Sequence, residues 1–392
     1  MATPPPPRPH AGLRRMAALN PRAPHRVASP LELLFDLVFV VAVSQASSTL
    51  HELIVEGHVG QGVLAYLMVF FSVWWAWMNF TWFASAYDTD DWLYRVMTIA
   101  QMGGVLVLAA GVHEAMVSFD YTIVTLGYVI MRLAMVGQWL RLAISDPASR
   151  ATGLRFAAGY GLVQLLWLVR LLADDSVQFW TFFVLMAAEL CVPVWAEFRH
   201  RTPWHPHHIS ERFGLFTLIL LGESLLASTN AMIDALSEGE HVAELLWLSA
   251  SGIVITAAIW WIYFAREPVD RLRRPLDGFT FGYRHYVVFA AVGAVSSGVE
   301  VEIDAVSGHA AISGETAGLA LTLPLAIFLL AVWHVLLRRA VSRGVTVIVL
   351  IATALIAASG LLPVGEYAVA ALLMAGVVAA VEVDAARRPS QM

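Results

Sequence analysis

Apolar residues in this chain come in long unbroken blocks, not in the short alternations of a water-exposed fold. Twelve such blocks fall at roughly 31–50, 62–84, 96–116, 119–143, 153–173, 177–197, 212–233, 242–264, 283–301, 316–337, 345–362 and 365–383. A helix needs about 20 residues to cross a hydrocarbon core. The pattern therefore predicts an all-α, polytopic membrane protein of about twelve transmembrane helices. The first and ninth blocks are the least clear-cut spans, since each carries polar or acidic residues.

Composition strengthens this reading. Hydrophobic residues make up 59% of the chain, charged residues 14%, and the mean hydropathy is +0.69. A soluble domain is nearer a quarter charged, so this chain has too little polar surface to cover itself in water. Its single cysteine, Cys191, lies inside an apolar block and reads as a packing residue. Residues 1–27 contain Pro4 to Pro7 and five arginines but no apolar signal core, so they read as a disordered cytosolic tail, with a second tail at 386–392.

Charge placement orients the chain. All 24 basic residues are arginines. With the N-terminus inside, 22 fall on the cytosolic side, among them Arg8, Arg14, Arg15, Arg22 and Arg26 in the tail and the Arg271, Arg273, Arg274 group. Arg170 alone falls outside and Arg132 lies within a span. The excess of arginine predicts that both termini are cytosolic. Outer loops are correspondingly acidic, as at Glu244, Glu300, Glu302 and Asp304, which reads as solvated surface.

The two halves, 28–200 and 201–385, resemble each other weakly but in order. Trp74-Trp75 matches Trp260-Trp261, Tyr94-Arg95 matches Tyr283-Arg284, Gly104 matches Gly293, and Leu185-Met186-Ala187 matches Leu373-Met374-Ala375. Each half holds six spans, so the repeats are expected to be parallel, with a site or path where they meet.

Ionisable groups at membrane depth are costly and normally have a partner or face water. Asp36, Arg132, Glu189 and Glu223 all fall within spans. Arg132 and Glu189 lie at similar depth and are expected to form an intramembrane ion pair. Asp36 and Glu223 occupy related places in the two halves. With Glu32 and Gln45 they are the candidate lining of an ion or solute path, against the alternative that they fix helix packing. Asp88, Asp90 and Asp91 form a candidate cation-binding loop, against the alternative of capping and loop hydrogen bonds. His200, His205, His207 and His208 are read as a solvated loop, and no resident metal is expected. No phosphate-binding glycine loop, no His-Glu-x-x-His and no cysteine pair is found, so the chain is not read as an enzyme. No cofactor and no nucleic acid are expected; the bilayer and an ion or small solute are.

Three stretches carry a resemblance. Leu31-Glu32-Leu33-Leu34-Phe35-Asp36-Leu37-Val38-Phe39-Val40 resembles the opening signature of the bacterial low temperature requirement A family. Trp74 to Phe83, followed by Asp88, Asp90 and Asp91, is similar to its second signature. His208-Ile209-Ser210-Glu211-Arg212-Phe213, running on to Leu221-Gly222-Glu223-Ser224, is similar to its third. The resemblance implies a multi-pass membrane protein, named for a growth phenotype, and implies no substrate. A second likeness, to a two-repeat, twelve-helix potassium-channel family, is limited to architecture: Phe35-Asp36 lacks that family's intervening serine, and the seventh span has no Phe-x-Asp. Three functions are weighed: a transporter or channel using intramembrane carboxylates, a non-transporting sensor or assembly protein linked to growth at low temperature, and a lipid-modifying enzyme, for which no nucleophile–base pair is found.

Overall fold

The computed structural model describes residues 12–21, 23, 26–238, 241–266, 272 and 275–387. Arg8, Arg22, Arg271, Arg273 and Arg274, used above for orientation, lie outside the described residues, as do Pro4 to Pro7 and 388–392. Among the described residues the chain is helical throughout, with no strand.

Thirteen α-helices follow in order: α1 Pro30–Val55, α2 Val59–Tyr87, α3 Trp92–Ala110, α4 Val112–Val117, α5 Thr122–Ser145, α6 Arg150–Arg170, α7 Asp175–Ala196, α8 Pro206–Glu238, α9 Val242–Phe264, α10 Pro275–Val306, α11 Gly314–Val332, α12 Arg343–Ser359 and α13 Glu366–Arg387. Eleven of these are long and apolar enough to cross a membrane. The twelfth expected span, α12, has 17 residues. It rises about 25 Å, a few ångströms short of a typical core. The third expected span does not run to 116. It stops at Ala110, and Gly111 leads into the six-residue α4.

Helix starts follow local chemistry. Ser29, Pro30 and Glu32 open α1 as a capping box. The Ser29 hydroxyl accepts from the Glu32 N–H at 3.3 Å, and Glu32 Oε2 accepts from the Ser29 N–H at 2.7 Å. Proline stands first in the helix, where its missing N–H costs nothing. Asp91, Ser313 and Ser342 cap α3, α11 and α12 in the same way, each accepting a backbone N–H three residues on.

Packing divides the chain into two compact units that do not coincide with its two sequence halves. Unit 1 takes residues up to 39, 75–111 and 119–209; unit 2 takes 40–74, 112–118 and 210–392. Unit 1 packs α3 on α5, α5 on α6 and α6 on α7. Its core is aromatic: Phe35 lies 3.9 Å from Phe80 between ring centroids, and Trp139 stacks on Phe156 at 4.0 Å and 10°. The α3–α5 crossing is a backbone contact. A Cβ on Gly127 would sit 2.5 Å from the Leu108 nitrogen and 2.6 Å from the Gly104 carbonyl oxygen. Close approach of this kind supplies the van der Waals contact that holds helices together where lipid is as apolar as leucine.

The N-terminal segment differs from the expectation of disorder wherever it is described. Met16 is fully buried, the Leu19 N–H reaches the Ala86 carbonyl at 2.9 Å, and Arg15 Nε donates to the Ser145 carbonyl at the end of α5. Arg26 donates to the Ala84 and Ser85 carbonyls at the end of α2. Arginine at a helix C-terminus meets carbonyls without helical partners and the negative end of the dipole, which is why this polar segment is ordered.

Unit 2 packs α10 on α11, α9 on α13, α11 on α12 and α12 on α13. The last turn of the α11 rod is π-helical, Trp333–Leu337. Residues 40–55 of α1 lie against α10 through small and hydroxyl side chains. Ser47 Oγ donates to the Gly293 carbonyl at 3.0 Å, Ser297 Oγ to the Ser47 carbonyl at 2.8 Å, and the Tyr66 hydroxyl to the Ala290 carbonyl at 2.9 Å.

Candidate functional site

Unit 1 gathers residues of all three signature stretches. Glu32, held by its capping box, turns its other oxygen to His208, with Nε2 3.1 Å from Oε1. Both side chains are at most 1% exposed. One turn along α1, Asp36 accepts from the Trp77 indole N–H at 2.7 Å, and Asp36 is also buried. His208 is not the solvated histidine expected. Pro206 starts α8, and His208, Arg212 and Phe216 follow at four-residue intervals on one buried face. Pro203 and Pro206, just before His208 in sequence, made this turn look like loop. His205 is buried as well, its Nε2 2.8 Å from the Ala23 carbonyl oxygen.

The Arg132–Glu189 pair lies in the same unit. Arg132 donates to Glu189 Oε2 at 2.6 Å, and the Trp75 indole N–H donates to the same oxygen at 2.9 Å. The guanidinium sits 4.2 Å from the Tyr160 ring centroid and 5.3 Å from that of Tyr128. Aromatic faces and a planar fork suit arginine better than lysine here. Arginine, acid and aromatics are packed on one another, while Arg132 Nε and Glu189 Oε1 are buried without a hydrogen bond among the described residues.

The aspartate loop does not converge on a cation. Asp91 caps α3 through the Tyr94 N–H, accepts from the Arg14 N–H and is bound twice by Arg141. Burial raises its carboxyl, and the Arg141 and backbone hydrogen bonds overcome that and bring it below the usual carboxylate range. Asp90 faces Arg95 at 2.8 Å. Asp88 lies 3.9 Å from Arg26; burial first, and then the Glu32 carboxylate, push it up to about 7. Each acid is turned to its own donor, and the described residues contain no cluster of three or more metal-ligating side chains. In the described structure the three aspartates serve capping and pairing with arginine.

Unit 2 holds Glu223 at the middle of the 33-residue α8, half-buried, where it accepts from the Ser44 hydroxyl at 2.9 Å. Seven residues on from Ser44, about 10 Å along α1, His51 Nε2 stands 2.7 Å from Asp304, and its Nδ1 stands 3.8 Å from Glu300. These three side chains remain between 20% and 28% exposed. Glu300 also feels the Glu223 charge. Sequence reading placed Glu300 and Asp304 on a solvated outer loop, but both belong to the last turns of α10. Gln45 is exposed, one residue and about 100° round the helix from Ser44. Its side chain takes no part in the hydrogen bonds around Glu223. Asp36 and Glu223, the two acids expected to share a path, fall in different packing units.

Eleven helices long and apolar enough to cross a membrane, in a chain only 14% charged, define a multi-pass integral membrane protein. The chain belongs to the bacterial low temperature requirement A (LtrA) family, whose model matches residues 27–382. It is also similar to an uncharacterized protein of Rhizobium meliloti, 27% identical over a 289-residue alignment that covers 68% of each chain.

Proposed function

We propose that the protein is a transporter or channel for an ion or small solute in the bacterial cytoplasmic membrane, and that Glu223 lies on the route. The observation that carries this reading is the state of Glu223. It is an acid at mid-helix, half-buried, held by a serine hydroxyl, with no ion-pair partner among the described residues. A purely structural acid at that depth would be expected to be sealed and paired, as Glu189 is. The His51, Glu300 and Asp304 cluster, partly exposed two turns away, supplies a polar approach within the same unit. Asp36, turned to Trp77 in a buried setting, fits a packing role better, so the route is assigned to Glu223 rather than to both acids.

The same reading takes the halves as parallel repeats with both termini cytosolic. Consecutive packing supports it: third on fourth, fourth on fifth and fifth on sixth span recur as α3, α5, α6, α7 and α10, α11, α12, α13. The matched tryptophans Trp75 and Trp261 each donate, at 2.9 Å, to a glutamate on the sixth span of their own half, Glu189 and Glu382. In each half the third and fourth spans also cross at glycine. A Cβ on Gly298 would sit 2.5 Å from the Ala320 carbonyl oxygen, much as Gly127 meets Gly104.

Reconstituted into proteoliposomes under an ion or proton gradient, the wild-type protein is expected to conduct or exchange, and Glu223→Gln to abolish that flux while inserting and melting normally. Undiminished flux in that variant removes Glu223 from the mechanism. A non-transporting sensor or assembly role is the competing reading, favoured by the way Glu32 and Asp36 are engaged by neighbours. Absence of flux in the wild type under every gradient, with a partner protein co-purifying, would select it.

A further inference from the structure

One basic side chain of unit 2 stands between two acids of a single helix face. Glu300 and Asp304 are four residues apart on α10, so their side chains lie one above the other. His51 reaches both from α1, with Nε2 2.7 Å from Asp304 Oδ2 and Nδ1 3.8 Å from Glu300 Oε2. All three are partly exposed, so water can deliver protons to them. The other titratable groups facing the cluster are acids or histidine. Glu52 of α1 acts on His51 and pairs with His113 of α4 at 3.5 Å, and Glu223 of α8 acts on Glu300. Among the described residues no arginine forms an ion pair with any of these four carboxylates.

An ionised carboxylate only accepts hydrogen bonds, so Nε2 must carry the hydrogen it gives to Asp304. A neutral imidazole has one N–H, and Nδ1 would then turn a lone pair toward the Glu300 carboxylate. A second proton, on Nδ1, makes that contact an ion pair and sets one positive charge between two negative ones. A zinc ion takes nitrogen and oxygen ligands at about 2.0 Å each in a tetrahedral arrangement, which would spread them well beyond 2.7 Å.

We infer that His51 is a proton-binding site, and that its imidazolium latches the end of α1 to the end of α10. The seam is joined on either side of it. One turn toward the middle of α1, Ser47 and Ser297 bond across to the facing backbone, and one turn beyond, the Ala311 N–H donates to the Val55 carbonyl at 3.1 Å. Those bonds involve no titratable group, so the pH sensitivity of this joint falls to His51. Loss of the proton leaves Glu300 and Asp304 without their cation, two turns from Glu223. Any effect of that charge on flux rests on the proposed route; the proton site itself does not.

Nitrogen-15 NMR of the full chain, labelled at histidine and held in lipid vesicles, tests the site. The wild type should show an imidazolium signal that is absent from His51→Gln and turns neutral as the pH rises. In Asp304→Asn that change should come about one pH unit lower, a proton affinity about tenfold weaker, because a facing carboxylate is gone. Should His51→Gln fail to fold, that shift assigns the signal instead. Hydrogen exchange at Ala311, corrected for its intrinsic pH dependence, reads the latch. Protection should be lost in the wild type as the imidazolium disappears, and should persist at every pH in His51→Arg, which keeps a cation in place. Glu223→Gln should preserve both responses, so failure of the transport reading leaves this test intact. The inference is overturned if no imidazolium signal belongs to His51, or if Asp304→Asn and Glu300→Gln both titrate like the wild type. Protection at Ala311 that ignores pH in the wild type would remove the latch.

Discussion

At the scale of single residues, the buried charges differ in how completely they are answered. Arg132 is 3% exposed, and Glu189 is its anionic partner. Glu189→Gln keeps the shape and removes the charge, leaving a buried guanidinium uncompensated, a change that costs about 3–5 kcal/mol. A clear fall in melting temperature is expected, with much of it recovered in the Arg132→Met, Glu189→Leu double variant; an additive double variant would refute coupling. Asp88 gives a pH signature. Its carboxyl is pushed up to about 7 in the folded protein, against about 3.9 when unfolded. Between those values the folded state binds the extra proton, so stability falls as pH rises from about 4 to about 7 and levels off above. Melting curves across that window should flatten in Asp88→Asn; an unchanged slope would place the pH dependence elsewhere. What sequence could see at this scale was depth: Arg132 and Glu189 stand at matching positions in their spans. It could not see partners supplied from far along the chain. His208 looked like loop because two prolines closely precede it, and nothing local tells that Glu32, 176 residues earlier, is its neighbour.

At the scale of helices, length and composition made the spans legible, because about 20 apolar residues have few other ways to fold. Their ends were less so. Gly111 splits a block that reads as continuous, since apolar content alone does not register a turn. The arginine-rich segment before α1 reads as disordered because its partners are backbone carbonyls, which composition cannot show. Crossings are set by glycine. Gly127→Leu on α5 would drive a side chain into the α3 backbone at Leu108 and Gly104, so the two helices must separate. A large loss of folded protein is expected in size-exclusion chromatography, and Gly298→Leu should do the same to α10 and α11. Gly161→Leu on α6, where a Cβ would meet nothing within 4 Å, is the control and should fold normally. If all three behave alike, the close crossings are not what holds these helices together.

At the scale of the whole molecule, orientation and repeat are separate questions, and one labelling experiment addresses both. The chain has a single cysteine, Cys191, so Cys191→Ser gives a blank background. Four exposed loop positions then report on sidedness: Asp120 between α4 and α5, Ala148 between α5 and α6, His309 between α10 and α11, and Arg339 between α11 and α12. Asp120 and His309 come after the third span of each half, Ala148 and Arg339 after the fourth. If the halves are parallel and the termini cytosolic, single cysteines at 120 and 309 react with a membrane-impermeant maleimide on intact spheroplasts, and those at 148 and 339 react only after permeabilisation. Inverted halves would split both pairs, one member reacting from each side. Reversed termini would keep the pairs and exchange their sides. The short α12 adds a further reading. If its 17 residues fail to cross, position 339 still behaves as cytosolic, but α13 must then run the other way and its far end, Arg387, faces outward. A cysteine at 387 reacting on intact spheroplasts would therefore break the twelve-span topology at one identifiable helix, leaving the preceding spans in place.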